Sequence, residues 1–191
     1  MLTLAQVELE SYLQTARASL GLAPVLAEAS AIVAQAVHGG RKLLLIGNGG
    51  SAAAAQHIAA ELAGRPTGVP LAALALTTDT STLTAIANDQ GYERVFEKQI
   101  RALACQGDVL LAISTSGNSP NILRAAVAAR EHGCKVIALI GAGRGALADL
   151  ADVVVQAPSN QTTRVQEVHV VVGHIICRIV EAWPTHLAGA K

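Results

Sequence analysis

The chain has 191 residues, a size that favours one domain with a substantial core. Fourteen Lys and Arg balance fourteen Asp and Glu, so no broad basic face for nucleic acid is implied. Hydrophobic residues make up 51% and aromatics only 2%, which excludes intrinsic disorder and suits alanine-lined helices packed on a sheet.

In chain order, residues 2–22 and 25–38 carry Leu and Ala at spacings of three and four and predict two amphipathic helices. The N-terminus has no basic stretch before an apolar core, and no apolar run is read as approaching the ~20 residues of a membrane span. A cytoplasmic protein without a membrane partner is therefore expected. Gly39-Gly40 ends the second helix, and the apolar run 42–46 predicts a buried parallel strand that stops at Gly47-Asn48-Gly49-Gly50-Ser51. A helix at 52–63 follows. The alternation then repeats: strand 71–76, helices 81–88 and 95–104, strand 108–113, helix 120–132, strands 135–140 and 152–155, and a long helix 164–183. The tail after Trp183 is expected to fray. This reads as one domain, 1–191, with an N-terminal helical region (1–40) and an α/β core (41–183). Such alternation predicts a parallel sheet covered on both faces, with ligands at the carboxyl ends of the strands near a switch in strand order. Cys105, Cys134 and Cys177 are odd in number and lack CxxC spacing, arguing against a disulfide framework and a Cys-based zinc site.

Two strand-to-helix loops are chemically unusual. One is Gly47-Asn48-Gly49-Gly50-Ser51; the other is Ser114-Thr115-Ser116-Gly117-Asn118-Ser119. Each opens a helix, where free backbone N–H groups and the helix dipole favour an anion. Neither fits GxxxxGK[ST] or GxGxxG, so the nucleotide-binding routes those motifs serve are unsupported. Ser, Thr, Asn and Gly are also ordinary turn and cap residues, and for the first loop that reading stays open. Four hydroxyls in the second loop exceed the needs of one cap and point to a phosphate.

His57 and Glu61 lie four apart on the helix after the first loop and share a face. The spacing serves an exposed ion pair, metal ligation or acid–base chemistry; the Ala, Ile and Leu around them argue against a generic solvated face. The last helix places Gln166, Glu167, His169 and His174 in a Val- and Ile-rich stretch, where polar groups cost stability unless satisfied or used. His169 is the candidate for a hydrogen-bonded core residue. Gln166 and His174 are separated by about 12 Å of rise and about 80° of rotation on an ideal helix. They would share a metal only by reaching from opposite ends, or if the helix start is irregular.

GNGGS at 47–51, the His57/Glu61 pair, AND at 87–89, GDVLLAISTSGNS at 107–119 and RVQEVHVVVGH at 164–174 resemble the sugar isomerase (SIS) domain family. Within it they resemble the phosphoheptose isomerases, over nearly the whole chain to about Glu181. The resemblance implies a three-layer α/β/α sandwich with a five-stranded parallel sheet and N-terminal helices. It also implies a homotetramer with active sites between subunits, and one zinc per subunit. The implied reaction converts sedoheptulose 7-phosphate to D-glycero-D-manno-heptose 7-phosphate through an enediol, the first step towards the heptose of lipopolysaccharide and related glycans. By motif match, Ser114, Thr115, Ser116 and Ser119 would hold the phosphate. Asn48, Gly49, Gly50, Ser51, Asn88 and Asp89 would line the sugar, with Glu61 and Gln166 also reaching it. His57, Glu61, Gln166 and His174 would be the zinc ligands, and Glu61 with His174 the acid–base pair. Thr163 departs from relatives that carry an acidic residue there. SAAAAQH (51–57), LTAIAND (83–89) and KQIRALA (98–104) also resemble the DnaA initiator-associating protein, a non-catalytic SIS tetramer. A SIS regulator that senses a sugar phosphate would share the phosphate loop alone. Glu61 and His174 favour the isomerase.

Overall fold

The computed structural model describes residues 1–64 and 69–188, with side chains to Trp183. Helix α1 (Leu2–Ala18) passes through a 3-10 turn (Ser19–Leu22) into α2 (Ala23–His38), whose first turn holds Pro24. The turn keeps right-handed helical backbone, so Leu2–His38 is one helical stretch, long and apolar enough by length and composition to cross a membrane. That corrects the expectation that no apolar run is so long: the turn joins two segments which the sequence pattern separates. The fold itself uses the apolarity of α2. Leu26, Ala29, Val33, Ala34 and Val37 are buried in the core that α2 shares with the sheet and the last helix. Helix α1 buries no residue and exposes Leu2, Leu4, Val7, Leu9 and Leu13.

The α/β part runs β1 (Leu43–Gly47), α3 (Gly50–Ala63), β2 (Ala73–Ala75), α4 (Thr80–Gln90), a 3-10 turn (Tyr92–Arg94) and α5 (Val95–Leu103). It continues with β3 (Val109–Ser114), α6 (Pro120–Glu131), β4 (Lys135–Ile140), α7 (Leu147–Leu150), β5 (Val153–Gln156) and α8 (Thr162–Ala188). All strand pairings are parallel, in the order β2-β1-β3-β4-β5. From β1 the chain steps outward to β2 and then returns to β3 on the other side. The order therefore reverses between β1 and β3, and their carboxyl ends open a crevice. Gly47 is in register with Ile113, so the two unusual loops leave the sheet side by side.

The period-two alternation of the strands builds two cores. Leu43, Leu45, Val109, Leu111, Ile137 and Leu139 face α2, α3 and α8, while Leu44, Ile46, Leu110, Ala112, Val136 and Ala138 face α5 and α6. Alanines 54, 55 and 59 on α3 and 125, 126, 128 and 129 on α6 let these helices lie close to the sheet. Helix α8 earns its place by spacing: Val165, Val168, Val172, Ile176 and Val180 recur every three or four residues and are all buried.

Three expectations need correction. The strand at 71–76 shortens to Ala73–Ala75, because it lies at the sheet edge and only three residues pair with β1. The four-residue α7 was not anticipated; it is too short to show a helical period. Helix α8 continues past Trp183 to Ala188, since the missing amide of Pro184 removes one backbone bond without stopping the turn. Residues 189–191 of the tail expected to fray lie outside the described residues.

Candidate active site

The hydroxyl-rich loop is held from within and from a neighbour. Ser114 Oγ accepts the Gly117 N–H at 3.2 Å and lies 3.4 Å from Ser119 Oγ. Ser116 Oγ accepts the Asn118 N–H at 3.2 Å. From the loop after β4, Ala146 N–H donates to Asn118 Oδ1 at 2.9 Å and Leu147 N–H to Gly117 O at 2.9 Å. Ser119 occupies the N-cap position of α6 but makes no side-chain cap bond. Its hydroxyl is thus not spent on the helix, whereas Pro120 has no N–H and the Ile122 and Leu123 N–H groups already donate to Ser119 O at 3.0 Å. Ser116 is exposed, Thr115 and Ser119 are half-buried, and Ser114 is buried.

Across the crevice, Asn48 pairs with Asn121 at the start of α6, Nδ2 to Oδ1 at 3.0 Å and the reverse at 2.8 Å. Tyr92 donates its hydroxyl to Asn48 Oδ1 at 3.1 Å. This bond brings the turn after α4 to the first loop; in the last turn of α4, Asn88 Nδ2 donates to Asp89 Oδ1 at 2.8 Å, both exposed. Gly49 and Gly50 are exposed and Ser51 is buried. Gly50 leaves room for Gln166: a Cβ there would lie 2.6 Å from Gln166 Nε2. Asn121 and Tyr92 escaped the sequence reading. The signals available were weak: an asparagine directly after the helix-starting Pro120, and a tyrosine three residues beyond Asp89.

His57, Glu61 and His174 form the third group. Their ligand atoms all lie within 4.8 Å of one another. The Nε2 atoms of His57 and His174 are 2.7 Å apart, one donating to the other, and Glu61 Oε1 is 3.9 Å from His57 Nε2. The meeting has a packing cause. Gly173 lets α8 approach α3 so closely that a Cβ there would lie 2.5 Å from Ile58 Cδ1, and the histidines adjoin these residues, His57 just before Ile58 and His174 just after Gly173. The apolar surround read from the sequence covers only the opposite face of α3, where Ile58, Ala59 and Leu62 are buried. The His57 and Glu61 side chains are 45% and 46% exposed in the single chain. Gln166 stands about two turns before His174, against Gly50.

His169, Glu167 and Arg164 of α8 have structural partners. His169 is buried, its Nε2 donating to Ile140 O at 3.2 Å, and burial pushes its pKa down to about 4. Glu167 pairs with buried Arg164 at 2.8 Å, and Arg164 also donates to Glu8 O on α1 at 2.9 Å.

The donor set of the third group fits zinc. Two imidazoles and a carboxylate match a catalytic zinc site with three protein ligands. Ligand atoms on a tetrahedral zinc stand about 3.3 Å apart at Zn–N distances of about 2.0–2.1 Å, so small side-chain adjustments would seat one.

Strand order and loop chemistry are those of a doubly wound domain with a ligand crevice at its switch point, and comparison with known proteins narrows the class. Residues 9–141 match the SIS domain family. A phosphoheptose isomerase of Rhodospirillum rubrum is 51% identical over 161 residues, 83% of this chain and 86% of that protein. The structure of phosphoheptose isomerase from Neisseria gonorrhoeae aligns with TM-score 0.91 at 41% identity, covering 95% of this chain and 98% of that one. That of a phosphoheptose isomerase from Francisella tularensis aligns with TM-score 0.90 at 36% identity, with the same coverage of 95% and 98%. The chain belongs to the SIS domain family and, within it, to the phosphoheptose isomerases.

Proposed function

We propose that this chain is an aldose–ketose isomerase converting sedoheptulose 7-phosphate to D-glycero-D-manno-heptose 7-phosphate, the first step towards the heptose of lipopolysaccharide and related surface glycans. The observation that carries the reading is the meeting of His57, Glu61 and His174 in a chain half identical to a protein named phosphoheptose isomerase. Nothing among the described residues favours a non-catalytic SIS role, replication-initiator docking or sugar-phosphate sensing, over it.

Ser114, Thr115, Ser116 and Ser119 hold the phosphate with their hydroxyls. Asn48, Gly49, Gly50, Ser51, Asn88, Asp89 and Gln166 line the sugar. From Gly50 to His57 the helix rises about 10 Å, and helical side chains lean toward the N-terminus, so the acid–base group reaches back over the crevice. The phosphate and the reacting carbons of an extended seven-carbon sugar then occupy different ends of one site.

Isomerisation needs a base and an acid rather than a nucleophile. Glu61 takes a proton from C1 of the ketose; the C1–H bond breaks, a C1–C2 double bond forms and the carbonyl electron pair moves to O2. Returning the proton to C2, while the hydrogen of O1 passes to O2, leaves an aldehyde at C1. His174 serves the oxygens in this exchange. His57, Glu61 and His174 would hold zinc, which when bound would supply Lewis-acid polarisation of the carbonyl; Gln166 would join them only by swinging its side chain from Gly50. A carboxylate has two oxygens, so Glu61 can face the imidazoles with Oε1 and the substrate with the other. The exposed apolar side of α1 supports a homotetramer, and in this reading the sites lie between subunits of a cytoplasmic enzyme.

Glu61→Gln tests the reading. It keeps shape and cannot accept a proton, so turnover falls by about 10²–10⁴-fold while the sugar phosphate still binds. In D₂O the parent exchanges deuterium into C1 of the ketose and the variant does not. A variant that isomerises at the parental rate refutes the assignment.

A further inference from the structure

Glycine inside a helix costs stability relative to alanine, so one far from either end of α8 needs a reason. Gly173 is buried there, between Val172 and His174. Its backbone is not left-handed, so conformation does not demand glycine; space does. A Cβ added at 173 would lie 2.5 Å from both Cγ1 and Cδ1 of Ile58. Ile58 is 0% exposed and has no solvent to swing into. One turn further along α8, the Cys177 thiol points at Ile58 O at 3.9 Å. At the start of α3 the roles reverse, and Gly50 makes room for Gln166 of α8. The contacts 50–166 and 58–173 advance together, so the two helices run parallel and the first contact pins their register. What the second contact sets is the gap between them where the histidines leave. His57 directly precedes Ile58 and His174 directly follows Gly173, so a change in that gap reaches both imidazoles.

We propose that Gly173 and Ile58 are positioning residues whose combined bulk is a spacer, setting the separation of the His57 and His174 imidazoles and hence the closure of the group on zinc. The inference rests on the zinc assignment within the isomerase reading above. The two Nε2 atoms are 2.7 Å apart. Ligand atoms on a tetrahedral zinc stand about 3.3 Å apart, so the present gap needs to open only slightly. Carbon atoms in contact stand about 3.5–4.0 Å apart, so a Cβ at 173 would part the helices by about 1–1.5 Å with Ile58 in place. The imidazoles would then start wider than zinc requires and close only by leaving their preferred rotamers. Glu61, one turn beyond His57 on α3, moves with His57 and does not compensate for His174.

Adding bulk to one partner and removing it from the other tests the spacer. Zinc affinity is measured on folded protein by competition with a chelator, and Tm in parallel. Gly173→Ala is expected to weaken zinc binding about 10–100-fold. Ile58→Ala alone leaves a cavity, so it lowers Tm while zinc affinity stays at the parental value. Gly173→Ala combined with Ile58→Ala has room for the new methyl group. It should regain most of the lost zinc affinity although its Tm stays below that of the parent. A merely structural role makes zinc affinity follow Tm and leaves the double variant no better than Gly173→Ala; that result overturns the proposal. So does parental zinc affinity in Gly173→Ala. Where Gly173→Ala alone folds poorly, the series is read in the Ile58→Ala background. There Gly173→Ala should be tolerated and Gly173→Val, which overfills the gap again, should lose zinc; equal affinities overturn the spacer. A parent that takes up no zinc overturns the zinc assignment and the spacer together, whereas zinc uptake without recovery in the double variant overturns the spacer alone. Turnover of sedoheptulose 7-phosphate by the parent decides the isomerase reading separately.

Discussion

Gly117 gives the sharpest test of how the hydroxyl loop is held. Its φ is +66°, and a Cβ added there would lie 2.4 Å from Arg144 O and 3.1 Å from Gly145 Cα. Left-handed backbone costs an alanine about 1–2 kcal/mol. Overlap with a backbone oxygen, which cannot swing aside as a side chain can, adds about 1–3 kcal/mol. The clash cannot be relieved locally, because Gly141 N–H to Thr115 O, Ala146 N–H to Asn118 Oδ1 and Leu147 N–H to Gly117 O tie the two loops together. Gly117→Ala is therefore expected to lose about 2–5 kcal/mol, which for a chain of this length lowers Tm by roughly 10 °C. Gly40→Ala isolates the backbone cost, since Gly40 has φ +79° and nothing within 4 Å of the added atom. Thermal and urea unfolding of both variants, with KM for the sugar phosphate, separate the two contributions. KM should rise in Gly117→Ala and stay at the parental value in Gly40→Ala. Equal stability loss in the two, with KM unchanged in both, would refute the clamp.

Two further outcomes follow from the polar residues of α3 and α8. His169 carries a pKa pushed down from 6.5 to about 4 by burial, so between those values the unfolded chain binds a proton that the folded chain does not. Stability is fully present above pH 6.5 and falls as pH drops toward 4, by up to about 3 kcal/mol. His169→Gln should flatten that slope in denaturation measured across the window; an unchanged slope would place its source elsewhere. His57→Ala removes one of the three gathered donors and should lower zinc content and thermal stability together in protein purified without chelators. Zinc-free parent protein with full activity would reduce His57 to a hydrogen-bonding role.

The fold was legible because its strands are short aliphatic runs ended by glycine, and its helices carry apolar residues at helical spacing. What escaped was set by neighbours in space. The strand at 71–76 keeps its aliphatic composition throughout, yet only the part that finds β1 becomes a strand. The 3-10 turn at Ser19–Leu22 joins α1 to α2, although the helical spacing stops at residue 22 and restarts at 25. At the site, the helical spacing placed His57 and Glu61 on one face. It could not say that His174 joins them, because that depends on two helices touching at Gly173 and Ile58. Asn121 was hidden for the same reason: its partners Asn48 and Tyr92 arrive from separate crossovers.

The exposure of the proposed acid–base group and the bareness of α1 bear on each other. Proton abstraction beside a carbonyl gains from a site that excludes water, because charge interactions strengthen as solvent leaves. His57 and Glu61 are nearly half exposed in the single chain, so this chain alone leaves the chemistry wet. Helix α1 buries none of its residues and is tied to α8 through Arg164, which reaches the Glu8 carbonyl from one side and Glu167 from the other. A helix with five bare aliphatic side chains, fixed by an ion-pair network to the helix that carries His174, is built to be covered. In the proposed tetramer the cover for α1 and the closure of the site come from the same event. In that proposal, folding one chain positions the side chains, and assembly supplies the dry surroundings in which their charges act.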